Sequence, residues 1–126
     1  MNKTRHDART LLDAVFAVSP AIRYIALYQE GQLSSRQRPD LVAASASESD
    51  KYEELIVNPT LITLVRQRED IDCGGLKYVL VRYGNFFEFV QPLRNGHLSV
   101  GFEVSADVTR LAADIRRLGP IAQAFQ

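Results

Sequence analysis

The chain predicts an α+β fold of order α-β-β-α-β-β-β-α, a five-stranded antiparallel sheet with the first and last helices on one face and a kinked middle helix on the other. Three observations carry this reading. Residues 4–18 and the stretch after Ser105 place apolar side chains at helical spacing. Residues 22–37 and 76–104 are strand-like runs separated by two-residue turn signals. The hairpin LKYVLVRYGNFFEFVQPL, residues 76–93, is apolar on both faces, so each face needs a cover.

Each element has its own justification. In residues 4–18, Ala8, Leu11, Leu12, Val15 and Phe16 form a single stripe, and Ser19-Pro20 ends the helix because the residue before a proline avoids helical geometry. Ile22 to Gln29 reads as a strand, Glu30-Gly31 as a turn, and Leu33 to Gln37 as a shorter polar strand suited to a sheet edge. Residues 39–51 are small and polar, a flexible connection. The helical period then returns with Tyr52, Leu55 and Ile56 as one stripe and Leu61, Leu64 and Val65 as another. Asn58-Pro59 between them marks a break or kink.

Gly74-Gly75 lead into a meander of strands at about 76–83, 86–93 and 97–104, turning at Gly84-Asn85 and Asn95-Gly96. Ser105-Ala106-Asp107 opens the last helix, lined by Val108, Leu111, Ala112, Ile115 and Leu118; Gly119-Pro120 stops it, leaving 119–126 as a tail.

A two-residue turn at Gly84-Asn85 sets Tyr83 opposite Phe86, Val81 opposite Glu88 and Val79 opposite Val90. Extended through Asn95-Gly96, the register pairs Phe89 with Phe102 and Gln91 with Val100. One face becomes a floor of Leu80, Phe87, Phe89, Val100, Phe102 and Val104 for the first and last helices. The other face, with Val79, Val81, Tyr83 and Phe86, is left for the middle helix, a second subunit, or both. A single sheet follows if consecutive strands are neighbours.

Bulk properties bound the function. The 126 residues make a single domain, 1–126, and fifteen basic against fifteen acidic side chains leave no field to attract nucleic acid. One cysteine, Cys73, rules out an internal disulfide framework and points to a reducing, cytoplasmic setting; no stretch is long and apolar enough for a membrane span.

The element order, with SPAIRYIALYQEGQLSSR near the start and GGLKYVLVRYGNFFEFVQPLRNGHLSVGFEVSADVTRLAADIRRL near the end, resembles the Roadblock/LC7 superfamily, whose fold is related to profilin and longin domains. It is similar in particular to a roadblock-like group of archaea and bacteria with an Ile-Arg strand (Ile22-Arg23), an Arg-x-Arg pair ending the middle helix (Arg66, Arg68) and a hydrophobic meander. The resemblance implies a noncatalytic module without cofactor. It implies pairing of two copies through the middle helix and an adjacent sheet edge, and binding or regulation of a small Ras-like GTPase or another signalling protein. Carried onto this chain, the pairing surface is Leu61, Leu64, Val65, Arg66, Arg68, Val79, Val81 and Tyr83. The Asn58-Pro59 break and the long 39–51 connection depart from the commonest pattern. A cytosolic small-ligand sensor, binding between sheet and broken helix, is the alternative.

Chemical candidates read as structural. Glu88 and Glu103 would lie opposite each other with His97 on the same face, where paired carboxylates bind a metal or share a proton. Solvated glutamates balanced by Arg66 or Arg68 are the expectation. His6 and His97 have no ligand-spaced companions. Cys73 has no specified His partner, and Tyr83, Phe86 and Phe87 read as core before they read as a stacking platform. Arg66, Arg68 and Arg82 are a candidate anchor for an acidic partner or a solvated helix end.

Overall fold

The computed structural model describes residues 3–39, 51–68 and 71–118. The interior of the 39–51 connection and the 119–126 tail lie outside the described residues, as does the side chain of His6. In order come α1 (Lys3–Phe16), β1 (Ile22–Gln29), β2 (Gln32–Gln37), a π-helical segment (Glu53–Val57) continued by α2 (Asn58–Arg66), β3 (Val79–Arg82), β4 (Phe87–Leu93), β5 (Gly96–Phe102) and α3 (Val108–Arg116). The strands form one antiparallel sheet, β2-β1-β5-β4-β3. The α+β class and element order are those the sequence predicts.

Two details of the sheet differ. β2 and β3 are consecutive but occupy opposite edges, and the hairpin joins the meander through β1 and β5. The reason is composition: β1 and β5 are apolar enough to be covered on both sides, whereas β2 is polar. The register at the second meander turn is also displaced by two residues, so that Phe89 faces Val100 and Phe87 faces Phe102. The turn is made by Arg94-Asn95, with Asn95 in the left-handed region at φ 60°. Gly96 serves a different purpose. It sits opposite Gln29 of β1, where an added Cβ would overlap the Tyr28 carbonyl oxygen. A shift of two preserves every residue's face, so the layer assignments survive.

The main core lies between α1, α3 and one face of the sheet. Leu11, Leu12 and Val15 of α1 and Leu111, Ala112 and Ile115 of α3 cluster with Ile25, Phe89, Val100 and Phe102. Leu80 and Phe87 pack against that cluster, while Val104 falls beyond the end of β5 and is exposed. Each fully buried side chain of this size contributes about 1.5–3 kcal/mol. Asp107 caps α3 by accepting a hydrogen bond from the Arg110 amide at 3.4 Å. Among the described residues no helix is long and apolar enough to cross a membrane.

The middle helix is one continuous helical run, residues 51–66. Asn58 has helical torsions, φ −66° and ψ −44°, so it is not a cap separating two helices. Pro59 has no amide to donate and its ring crowds the preceding turn. The chain absorbs this in a wide turn just upstream, where the Asn58 amide donates to the Glu53 carbonyl five residues back.

Candidate functional site

The middle helix lies on the sheet face opposite the core and inverts the expected amphipathicity. Its inward row is Glu54, Asn58 and Ile62, buried at spacing four, while Tyr52, Leu55, Ile56, Leu64 and Val65 are exposed, Leu64 by 68%. The polar inward residues meet polar residues of the sheet: Glu88 on β4 and His97 and Ser99 on β5 are each no more than 1% exposed.

These five side chains form one hydrogen-bonded cluster. The His97 Nε2 lies 2.8 Å from Glu54 Oε1, and because a carboxylate only accepts, Nε2 is the donor. Ser99 Oγ donates to Glu54 Oε2 at 2.6 Å. Asn58 Nδ2 donates to Glu54 Oε1 at 3.1 Å and to Glu88 Oε2 at 3.3 Å. Burial, then the charges of Glu54 and Glu53, push the Glu88 carboxyl well above the ordinary glutamate range, against hydrogen bonds from Asn58 and Ser99 that pull it down. At the cluster's rim Tyr83 donates to Glu53 Oε2 at 3.4 Å, and burial together with Glu53 raises the Tyr83 hydroxyl. Among the described residues no group of His, Cys, Asp and Glu is arranged to hold a metal ion.

Glu88 and Glu103 therefore do not form the expected pair. Glu88 faces Gly101, and its carboxylate neighbour comes from the middle helix. Glu103 lies on the chain after β5, where Arg23 and Arg38 donate to it at 3.1 and 2.7 Å and hold its carboxyl below the usual range. Nor is Glu88 solvated or balanced by Arg66 or Arg68, both exposed at the end of α2, where Arg68 pairs with Asp72. The signal for the true cluster was present but faint. Glu54, Asn58 and Ile62 form an i, i+4, i+8 row, and His97 and Ser99 alternate with Leu98 and Val100.

The eight residues assigned to a pairing surface fall into two groups. Leu64, Val65, Arg66 and Arg68 are exposed on the middle helix and its C-terminal end, with Leu61 half-buried. Val79 and Val81 of β3, with Tyr83 just beyond it, are half-buried on the face the middle helix covers. Among the described residues β3 has a single strand neighbour, β4, and it forms one edge of the sheet. Tyr83 and Phe86 stack at 5.0 Å, and Arg82 lies 5.0 Å over Phe87.

A three-layer arrangement of this order, with two helices on one face of the sheet and one helix on the other beside the β3 edge, is the Roadblock/LC7 fold. The solved structures it is similar to make this specific. A Roadblock/LC7 domain from Streptomyces avermitilis superposes with a TM-score of 0.66 over 90% of both chains at 17% identity. The gliding protein MglB from Thermus thermophilus matches at 0.68, with 12% identity, over 95% of this chain and 89% of its own. MglC from Myxococcus xanthus matches at 0.56, also with 12% identity, over 94% and 96%. Neither a protein-family model nor a curated protein sequence matches the chain. At these identities the likeness establishes the fold.

Proposed function

We propose that the chain is a noncatalytic interaction module. It pairs with a second copy through the middle helix and the β3 edge, and it regulates or scaffolds a partner, with a small Ras-like GTPase as the partner class. The observation that carries this is the outward row Tyr52, Leu55, Ile56, Leu64 and Val65, large apolar side chains held in water by a helix whose inward positions are already filled. The β3 edge, whose only strand neighbour among the described residues is β4, offers a second copy a strand to extend. Support for the partner class comes from the Roadblock/LC7 fold, shared with a protein described as a gliding protein.

The ligand-sensor alternative has less support. Glu54, Asn58 and Ile62 fill the space between sheet and helix, and the opening near it is a depression of ≈ 220 Å³ lined by Tyr28, Pro59, Ile62, Asn95, Gly96 and His97. The test is mass by light scattering at micromolar concentration for the wild type and for Ile56→Asp/Leu64→Asp. A dimer that becomes a folded monomer in the variant is expected; a monomeric wild type would count decisively against pairing. Capture from native lysate tests the partner class, and recovery of no GTPase would reduce that part to a shared fold.

A further inference from the structure

Resting on the reading that the outer face of the middle helix binds a partner, we propose that Glu54, Asn58, Glu88, His97 and Ser99 form a proton-holding latch. The latch fastens that helix to the sheet, and losing its proton loosens the segment carrying Tyr52, Leu55 and Ile56, so that association weakens as pH rises.

The argument begins with a count of donors. Glu54 receives three hydrogen bonds, from His97, Ser99 and Asn58, and uses both oxygens. Glu88 receives the long bond from Asn58 and at most a share of the single Ser99 hydroxyl proton, which is already directed at Glu54. Asn58 Oδ1 is itself buried with no hydrogen-bond partner among the described residues, so the cluster already holds an acceptor in excess. A proton on Glu88 turns one of the surplus acceptors into a donor. Ser99 lies within hydrogen-bonding reach of that carboxyl, so the Glu88 hydroxyl can donate to Ser99 Oγ while Ser99 donates to Glu54 Oε2. Glu88 and Ser99 then both give and take, and Glu54 is the terminal acceptor.

Without the proton, two carboxylates share one dry site. The charges acting on Glu88 are Glu54 and Glu53, both of its own sign. The polar groups facing it include Asn58 on α2, His97 and Ser99 on β5, Tyr24 on β1 across Gly101, and Tyr83, which leans on Glu53. The Tyr28 ring of β1 stacks on His97 at 5.7 Å and closes that side. A buried like-charged pair is relieved either by taking up a proton or by moving one charge to water. Glu54 is the member that can move, because it stands on the π-helical segment, whose bonding is already irregular, whereas Glu88 is held in a strand paired on both sides. Leu55 and Ile56 follow Glu54 in the chain, so any displacement of Glu54 displaces the docking face.

The experiment follows three readouts from acid to alkaline pH in the full chain: the carboxyl carbon resonance of Glu88 by NMR, hydrogen-exchange protection of amides 53–57, and self-association by sedimentation. Glu88 is expected to titrate above the ordinary carboxyl range. Protection of 53–57 should fall by up to roughly tenfold per pH unit as pH rises from the ordinary carboxyl range toward that titration and level off above it, the slope for release of one proton. Association should weaken in step, and Glu88→Gln should hold both at their low-pH values. Ordinary titration of Glu88, measured on the wild type alone, overturns the proposal, as do superimposable wild-type and Glu88→Gln protection profiles. If protection falls as expected in a chain that sediments as a monomer throughout, the latch stands and the pairing reading is the one that fails.

Discussion

On one side of the sheet Phe89, Val100 and Phe102 meet Leu12, Val15, Leu111 and Ile115; on the other Glu88, His97 and Ser99 meet Glu54 and Asn58. The first contact is non-directional and gains in proportion to area removed from water, so it tolerates repacking. The second is directional and leaves a buried charge or orphaned acceptor whenever one member shifts. The apolar side therefore supplies most of the stability, and the polar side fixes where a single helix sits.

The largest expected effect falls on the apolar side. Phe89→Ala should cost about 3–5 kcal/mol in chemical denaturation. A loss comparable to that of a surface substitution would mean the core lies elsewhere. Glu54→Ala comes next, at about 2–3 kcal/mol, because His97, Ser99 and Asn58 lose their shared acceptor while remaining dry. The two should differ in kind as well as size: hydrogen exchange after Glu54→Ala is expected to rise in 51–66 and leave β4 and β5 protected.

Smaller in size but opposite in sign is Gln91→Met. Gln91 is fully buried and its amide makes no hydrogen bond among the described residues, so an apolar replacement of similar volume should raise stability by about 1 kcal/mol. A lower unfolding midpoint would show that the amide is satisfied by something else.

The smallest effects separate the two glutamates once expected to pair. Glu88, raised in the folded state, contributes stability that is complete below its unfolded pKa and is lost as pH rises through the folded value. Glu103, lowered by Arg38 and Arg23, contributes stability present above its unfolded pKa and lost as pH falls through the folded value. Thus Glu88→Gln should flatten the fall in stability as pH rises above the ordinary carboxyl range, and Glu103→Gln the fall as pH drops below it. Exchanged effects would refute both assignments.

The same contrast explains what the sequence could show. Apolar spacing in 8–16 and 108–118 has one meaning when a helix has one covered face, and it located the core correctly. In the middle helix the rule misleads, since Tyr52, Leu55 and Ile56 point to water and Glu54 and Asn58 point in. Periodicity reports which face is apolar and cannot say whether the chain itself covers that face. The register at Arg94-Asn95 was hidden for a related reason. Gly96 looked like a turn glycine, yet its small size is demanded by Tyr28, about 70 residues away in the chain and visible only once β1 lies beside β5.

The two edges of the sheet also differ, and the difference bears on how many copies can join. β2 presents Gln32, Ser34, Ser35 and Gln37, with Arg36 tied to Asp13 of α1. β3 presents only four residues, three of them apolar. A sheet with two receptive edges polymerises without limit; one with a single receptive edge adds a copy about a two-fold axis and is then complete. Under the proposed pairing, the polar composition of β2 acts as a stop signal, so that growth through β3 would end at a closed pair instead of a filament.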